Sequence, residues 1–157
     1  MSGYGGADNY AGNIIATLAG LPDFLRKPIL RRRMSEFPAL PADEQDEIVG
    51  NALEASPEIP FPTFAKLFGT WLDVLAGMDE AERGALLGAY ARGIAAVPNR
   101  VAALHMDGLV AVFARMEPAG REALSSSTRR ILIGMDPESR RRILLMTPDA
   151  AKYMLGI

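Results

Sequence analysis

The chain has 157 residues and a formal net charge of −2, with 49% hydrophobic and 23% charged residues. This balance is typical of a soluble globular protein, and the length suits one domain. The absence of cysteine excludes disulfides, thiolate metal sites and cysteine nucleophiles. No segment has the roughly 18 uninterrupted apolar residues of a membrane span. The N-terminus lacks the pattern of a signal peptide, so we expect a cytoplasmic protein.

Charge is distributed unevenly along the chain. Residues 23–36 carry five cations against two carboxylates, and residues 129–142 carry the same numbers, so each segment has a net charge of +3. Residues 41–58 carry six carboxylates and no base. Such asymmetry favours association with charged partners, and it would put the protein at a membrane periphery if that partner were lipid. Solvated helix faces produce the same pattern.

The chain begins with residues rich in Gly, Tyr and Asn over 1–12, which we predict to be a flexible arm. An N-terminal helical region follows over 13–36. Prolines then recur where helices would begin, because proline is tolerated in the first helical turn. Short polar side chains at several of these starts predict N-caps, since they accept hydrogen bonds from unpaired backbone N–H groups; these are Asp79, Asn99, Asp136 and Thr147.

The segments between these starts are amphipathic with helical spacing. One apolar stripe runs from Val101 through His105 to Met116, and a second runs from Phe64 to Leu75. No segment shows the alternation of a strand. Helices of this length joined by short loops lie antiparallel to their neighbours, and we therefore predict an all-α fold.

A repeat of 38 residues is visible in the sequence. Leu40, Met78 and Met116 each precede a helix start, and the same superposition aligns Gln45 with Arg83 and Arg121. A period near 40 with two helices per block is typical of α-solenoids of the HEAT or armadillo kind. The sequence thus predicts a single domain over 13–157, built as a stack of three hairpins at about 40–77, 78–115 and 116–157. Chance similarity among alanine-rich helices is the alternative.

The C-terminal segment repeats one short pattern of an apolar residue, a cap and a proline. The pattern occurs in Met116-Glu117-Pro118, Met135-Asp136-Pro137 and Met146-Thr147-Pro148, with spacings of 19 and 11. The text ILIGMDPESRRRILLMTPDAAKYMLGI over residues 131–157 resembles the helical superhelix of the N-terminal domain of MgtE-type magnesium transporters. It is also similar to the middle domain of the flagellar rotor protein FliG. The resemblance implies protein–protein contact or switching and no catalysis.

The sequence contains no recognisable catalytic or metal-binding constellation. His105 is the single histidine, so no two-histidine metal site can form. It lies on the apolar stripe, where we predict a partly buried side chain, with a haem or pigment ligand as the alternative. Neither phosphate-binding glycine motif is present. We therefore expect no enzyme, no cofactor, no metal and no small-molecule substrate.

Two clusters of basic residues are the candidates for partner binding. The first lies among apolar residues in the N-terminal helical region, and the second lies near the C-terminus; they comprise Arg26, Lys27, Arg31, Arg32, Arg33, Arg140, Arg141 and Arg142. A basic amphipathic helix docks into a partner's groove or lies on an anionic membrane. The sequence pI near 5.5 argues against nucleic acid. We expect a non-enzymatic accessory, adaptor or scaffold subunit, using these helices or the groove of the stack. The alternative is a binding module for an anionic surface, either membrane or nucleic acid.

Overall fold

The all-α prediction is confirmed. The computed structural model describes residues 10–157, so most of the predicted flexible arm lies outside the described residues. Residues 10–12 form the start of the first helix. Residues 10–157 form ten α-helices and no strand, and the helices in chain order are α1 (Tyr10–Gly20), α2 (Asp23–Glu36), α3 (Ala42–Ala55), α4 (Phe61–Gly77), α5 (Glu80–Ala96), α6 (Asn99–Ala102), α7 (Met106–Ala114), α8 (Pro118–Gly134), α9 (Pro137–Met146) and α10 (Asp149–Leu155).

Helices begin at a constant interval of 19 residues. The seven starts from α2 to α9, with α6 and α7 sharing one interval, are Asp23, Ala42, Phe61, Glu80, Asn99, Pro118 and Pro137. Each start follows an apolar residue and then a proline or a carboxylate, and Met78-Asp79 is an example. We number these segments units 1 to 7, so that α2 lies in unit 1 and α9 in unit 7. The 38-residue repeat of the sequence is therefore two units, and each unit is one helical segment.

Helices pack mainly on others that lie two or three units away. Helix α2 packs on α4, α3 on α5, α4 on α7, and α5 on α8, all two units apart. Helix α8 also packs on α4, and α9 packs on α5, both three units away. Helix α1 packs on α3 and α4, and α10 packs on α7 and α8. The predicted stack of antiparallel hairpins of the HEAT or armadillo kind is therefore not confirmed.

The linkers explain why successive helices do not form hairpins. Helix α4 is joined to α5 by Met78 and Asp79, and both linking residues have an extended backbone. The chain therefore leaves the end of α4 instead of turning back along its side. Asp79 caps α5 by accepting a hydrogen bond from the Glu82 backbone N–H at 2.8 Å, as predicted.

In units 1, 2, 4, 6 and 7 the fourth residue is an arginine or a glutamine that ties its helix to the end of the preceding one. Gln45 Nε2 donates to the carbonyl of Phe37 at 3.0 Å, and Arg83 Nη1 donates to the carbonyl of Met78 at 2.6 Å. Arg121 and Arg140 donate to the carbonyls of Met116 and Met135 in the same way; the residue of this type in α2 is Arg26. The last carbonyls of a helix have no partner within it and carry partial negative charge, so a cation or amide there is stabilising.

The core lies between the first five helices, α1 to α5, and continues to α7 and α8. Val49, Leu75 and Ala89 are completely buried. Trp71 of α4 meets Tyr90 of α5 edge to face, with ring centroids 5.2 Å apart. Burial raises the pKa of the Tyr90 hydroxyl to about 12, because the phenolate would lose its hydration there.

Candidate interaction surface on α2

Helix α2 has a buried side and a basic outer side. Leu30 and Met34 are buried and belong to the core, and Arg26 lies on the same side with 2% of its surface exposed. Arg26 Nε donates to the carbonyl of Leu18 at 3.2 Å, and its Nη1 pairs with Asp23 and with the Thr70 hydroxyl. The structure therefore removes Arg26 from the predicted partner-binding residues, because its guanidinium joins α2 to α1 and α4.

The remaining basic residues of α2 lie in the solvent beside exposed apolar side chains. Phe24 is 74% exposed, and Leu25 and Ile29 are also exposed. Within residues 10–157, three of the four cations form no salt bridge, and Arg32 has a 3.7 Å contact with Glu36. We call this surface the α2 face, and it comprises Phe24, Leu25, Lys27, Pro28, Ile29, Arg31, Arg32 and Arg33.

The α2 face changes character along the helix. Phe24, Pro28 and Arg32 are four residues apart and lie in one line on the helix surface. The line is therefore apolar in its first half and charged in its second half. Exposed contiguous apolar surface rimmed by charge is typical of a site that a partner covers.

The C-terminal arginines of the prediction lie in α9, a helix that does not pack on α2. Glu138 accepts hydrogen bonds from Arg141, at 2.8 Å to its Oε1, and contacts Arg142 at 3.4 Å. The Arg141 guanidinium lowers the pKa of the Glu138 carboxyl below its usual value. Arg142 also donates to the Ala95 carbonyl at 3.3 Å. These cations are partly neutralised by their own helix, and the structure does not join them to the α2 face.

His105 is not the partly buried residue that we predicted from the apolar stripe. The chain leaves the helical conformation between α6 and α7, and His105 is an exposed residue at that break. Its Nδ1 accepts a hydrogen bond from the Gly108 backbone N–H at 3.1 Å and so caps α7. Its ring lies 4.6 Å from the Phe61 ring, at the edge of a cavity of about 290 Å³. The cap uses Nδ1 only, so nothing in this geometry tests the haem- or pigment-ligand alternative, which stays a prediction.

Over residues 10–157, no group of three or more His, Asp or Glu side chains could hold a metal ion. No helix in the same range combines the length and the apolar character needed to cross a bilayer. Comparison with known protein families, characterised proteins and solved structures found no match for this chain. The resemblance to magnesium-transporter and flagellar rotor domains therefore stays a prediction.

Proposed function

We propose that this protein is a non-enzymatic adaptor or scaffold subunit that binds another protein through the α2 face. The observation that carries the proposal is Phe24, a large apolar side chain that is 74% exposed among cations with few intramolecular partners. Aromatic and arginine side chains are the residues that contribute most binding energy at protein interfaces. A chain without cysteine needs no oxidising compartment, and we propose that the complex forms in the cytoplasm.

The chemistry of the α2 face indicates an acidic amphipathic segment as the partner. Apolar side chains of the partner would cover Phe24, Leu25 and Ile29, and carboxylates would pair with the arginines at the other end of the helix. A membrane fits less well, because Arg32 lies on the same line as Phe24 and would be pressed toward the lipid. Nucleic acid fits less well because no aromatic side chain lies among the three consecutive arginines.

Affinity purification with variants of this face tests the proposal. The wild-type protein should retain a stoichiometric partner, and the Phe24→Glu variant should lose it. The triple variant Arg31→Ala, Arg32→Ala, Arg33→Ala should bind the same partner at least tenfold more weakly. The matched control is Lys66→Ala with Arg115→Ala, which removes two exposed cations from other helices and should retain the partner. Unchanged circular dichroism would show that all variants are folded.

Two results would contradict this function. Retention of the same partner by Phe24→Glu and by the triple variant would place the binding site elsewhere. Binding of the purified protein to anionic vesicles, abolished by salt and by the triple variant, would instead support the anionic-surface alternative.

A further inference from the structure

The units contact one another in a fixed register. In unit 1, Arg26 Nη1 donates to the hydroxyl of Thr70 at 3.3 Å. In unit 4, Arg83 Nε donates to the hydroxyl of Ser127 at 2.9 Å. Both pairs are 44 residues apart, and each joins the fourth residue of one unit to the tenth residue of the unit two steps later. In these two units the fourth residue therefore marks where a later helix packs.

Arg140 is the fourth residue of unit 7, and its side chain is incompletely bonded. Its Nη2 donates to the carbonyl of Met135 at 3.3 Å, as expected for this position. Its Nε is buried and has no hydrogen-bond partner among residues 10–157. A buried donor of this kind is costly unless an acceptor reaches it. In unit 4 the equivalent atom, Arg83 Nε, donates to the Ser127 hydroxyl of the helix two units later. Residues 10–157 contain no unit two steps after unit 7.

Leu145 is exposed at a register position where an earlier unit is covered. It is the ninth residue of unit 7 and is 71% exposed. The ninth residue of unit 3 is Gly69, where an added Cβ would lie 3.6 Å from a methyl group of Val112, two units later. The ninth residue of unit 2 is Gly50, whose carbonyl accepts from Arg100 at 3.2 Å, three units later.

Ile133 is a second exposed apolar residue at a position that is covered in an earlier unit, and it is the sixteenth residue of its own unit. It belongs to unit 6 and is 76% exposed. The equivalent residue of unit 3 is Ala76, whose Cβ would lie 3.5 Å from a Cβ added to Gly120, three units later. The C-terminal helices thus expose apolar residues at two positions through which units 2 and 3 contact later helices.

A groove of about 400 Å³ lies at this end, between α9 and α10. Its apolar lining is Pro137, Leu144 and Leu145, and its cationic lining is Arg140, Arg141 and Lys152. We infer that this groove binds an acidic amphipathic helix of a partner protein, which packs as a further unit would. Its apolar side would cover Leu145, and its carboxylates would pair with the guanidinium of Arg141 and the ammonium group of Lys152.

Charge distinguishes this occupant from a second copy of the chain. The exposed apolar side chains at the N-terminal end belong to the α2 face, which carries four cations and would be repelled by the arginines of α9. The acidic helix α3 has the complementary charge, but residues 41–58 expose no large apolar side chain that could cover Leu145. A separate acidic helix satisfies both requirements.

The test uses the full chain and a synthetic peptide of this protein's own residues 40–58 as the acidic amphipathic probe. That peptide contains the six carboxylates of residues 41–58 and the apolar side of α3, and it has the length of one unit.

Fluorescence anisotropy should show saturable binding of the labelled peptide to the wild-type protein. Leu145→Glu and Lys152→Glu should each weaken it at least tenfold, since both change exposed or half-exposed groove residues without touching the core. The comparison is made with every chain also carrying Phe24→Glu, because the α2 face is itself proposed to bind acidic segments and would otherwise capture the same peptide. Lys66→Glu, which reverses an exposed cation of α4 outside both surfaces, is the matched control and should bind normally, so failure of this groove is distinguishable from failure of the α2 face.

Three results would overturn the inference. The first is no binding by the wild-type protein, or equal binding by Leu145→Glu; equal binding would mean that the peptide only exchanges with the resident α3. The second is undiminished binding of a peptide whose six carboxylates are replaced by amides, because the groove would then not select acidic helices. The third is sedimentation of the wild-type protein as a dimer that Leu145→Glu dissociates, which would make a second copy the occupant.

Discussion

Arg83 shows how a single buried cation holds three helices together. Its guanidinium donates to carbonyls at the end of α4 and to the Ser127 hydroxyl of α8, while the residue itself begins α5. The positive charge is balanced by the partial negative charge of those carbonyls and by Glu80, 3.9 Å away. Burial of a charge is tolerated here because nearly every donor has an acceptor.

Arg83→Ala should lower the free energy of unfolding by about 2–4 kcal/mol, because it leaves the buried Ser127 hydroxyl and two part-buried carbonyls at the end of α4 without their donor. The equivalent change Arg121→Ala should cost only about 1 kcal/mol, since Arg121 is half-buried and bonds two carbonyls that water can reach. Urea denaturation followed by Trp71 fluorescence measures both. Equal losses for the two variants would show that burial of Arg83 adds nothing to the bonds themselves.

The role of these residues was only partly predictable from the sequence. The alignment of Gln45 with Arg83 and Arg121 located the correct positions, but residue type alone does not distinguish a helix clamp from a surface cation. Arg26 was placed among the partner-binding residues for this reason. The signal that separates them is the spacing from the preceding apolar-proline pair, because Arg26 comes five residues after Leu21, as Gln45 does after Leu40. Arg31, Arg32 and Arg33 lack that spacing and are exposed.

Helix α5 contains two glycines whose replacement should have opposite effects. A Cβ on Gly93 would lie 2.6 Å from a methyl group of Val49, which is completely buried and has no room to move. A Cβ on Gly84 would meet no atom within 4 Å. Alanine favours a helix over glycine by up to about 1 kcal/mol. Gly84→Ala should therefore raise the thermal midpoint, while Gly93→Ala should destabilise by about 1–3 kcal/mol through overpacking. A gain for Gly93→Ala would show that α3 and α5 are less closely packed than the structure indicates.

The start of α9 should be sensitive to acid. The backbone N–H of Ser139 donates to Asp136 at 3.0 Å, and this bond lowers the pKa of the Asp136 carboxyl. A lowered pKa means that the ionised form stabilises the folded state, so the contribution is present above the unfolded pKa and is lost as pH falls below about 4.

Asp136→Asn separates the charge from the cap, because asparagine also accepts the Ser139 hydrogen bond. The variant should be folded at neutral pH, and the protection of α9 amides against hydrogen exchange should fall less steeply between pH 5 and pH 3 than in the wild type, roughly the range in which carboxylates titrate. The same steep fall in both proteins would assign the acid sensitivity to another group.

The helices themselves were largely predictable, and their packing was not. Asp79 and Asp136 are N-caps as predicted, whereas the N-caps of α6 and α10 are Pro98 and Pro148 instead of Asn99 and Thr147. A 38-residue period fits either one hairpin or two single-helix units, because both give the same spacing of apolar residues. Only the three-dimensional contacts show that α5 packs two and three units away. The prediction of one helix through His105 was wrong for a related reason. The periodicity of apolar residues does not reveal a break between two helices, and here the break is stabilised by the His105 cap.

On the scale of the whole molecule, packing two and three units away makes the interior units the most constrained. Helices α4 and α5 have packed neighbours on both sides, at lower and higher positions in the chain. Helices α9 and α10 contain no buried residue. Local opening is hardest where a helix has packed neighbours on every side, so local stability should be greatest in the middle of the chain.

Native-state hydrogen exchange should therefore show a gradient, with the slowest amides in α4 and α5 and the fastest in α9 and α10. Leu75→Ala should cost about 2–5 kcal/mol and speed exchange throughout residues 10–157, because Leu75 is completely buried in the central helix. Leu145→Ala should change the free energy of unfolding by less than about 0.5 kcal/mol, since its side chain is mostly in solvent. If the amides of α9 and α10 exchanged as slowly as those of α5, the units would unfold as one block. A helix bound in the C-terminal groove would then slow amide exchange equally in all units. With the gradient as expected, the partner helix should slow exchange first in α9 and α10, which connects the stability of the last units to the occupancy of their groove.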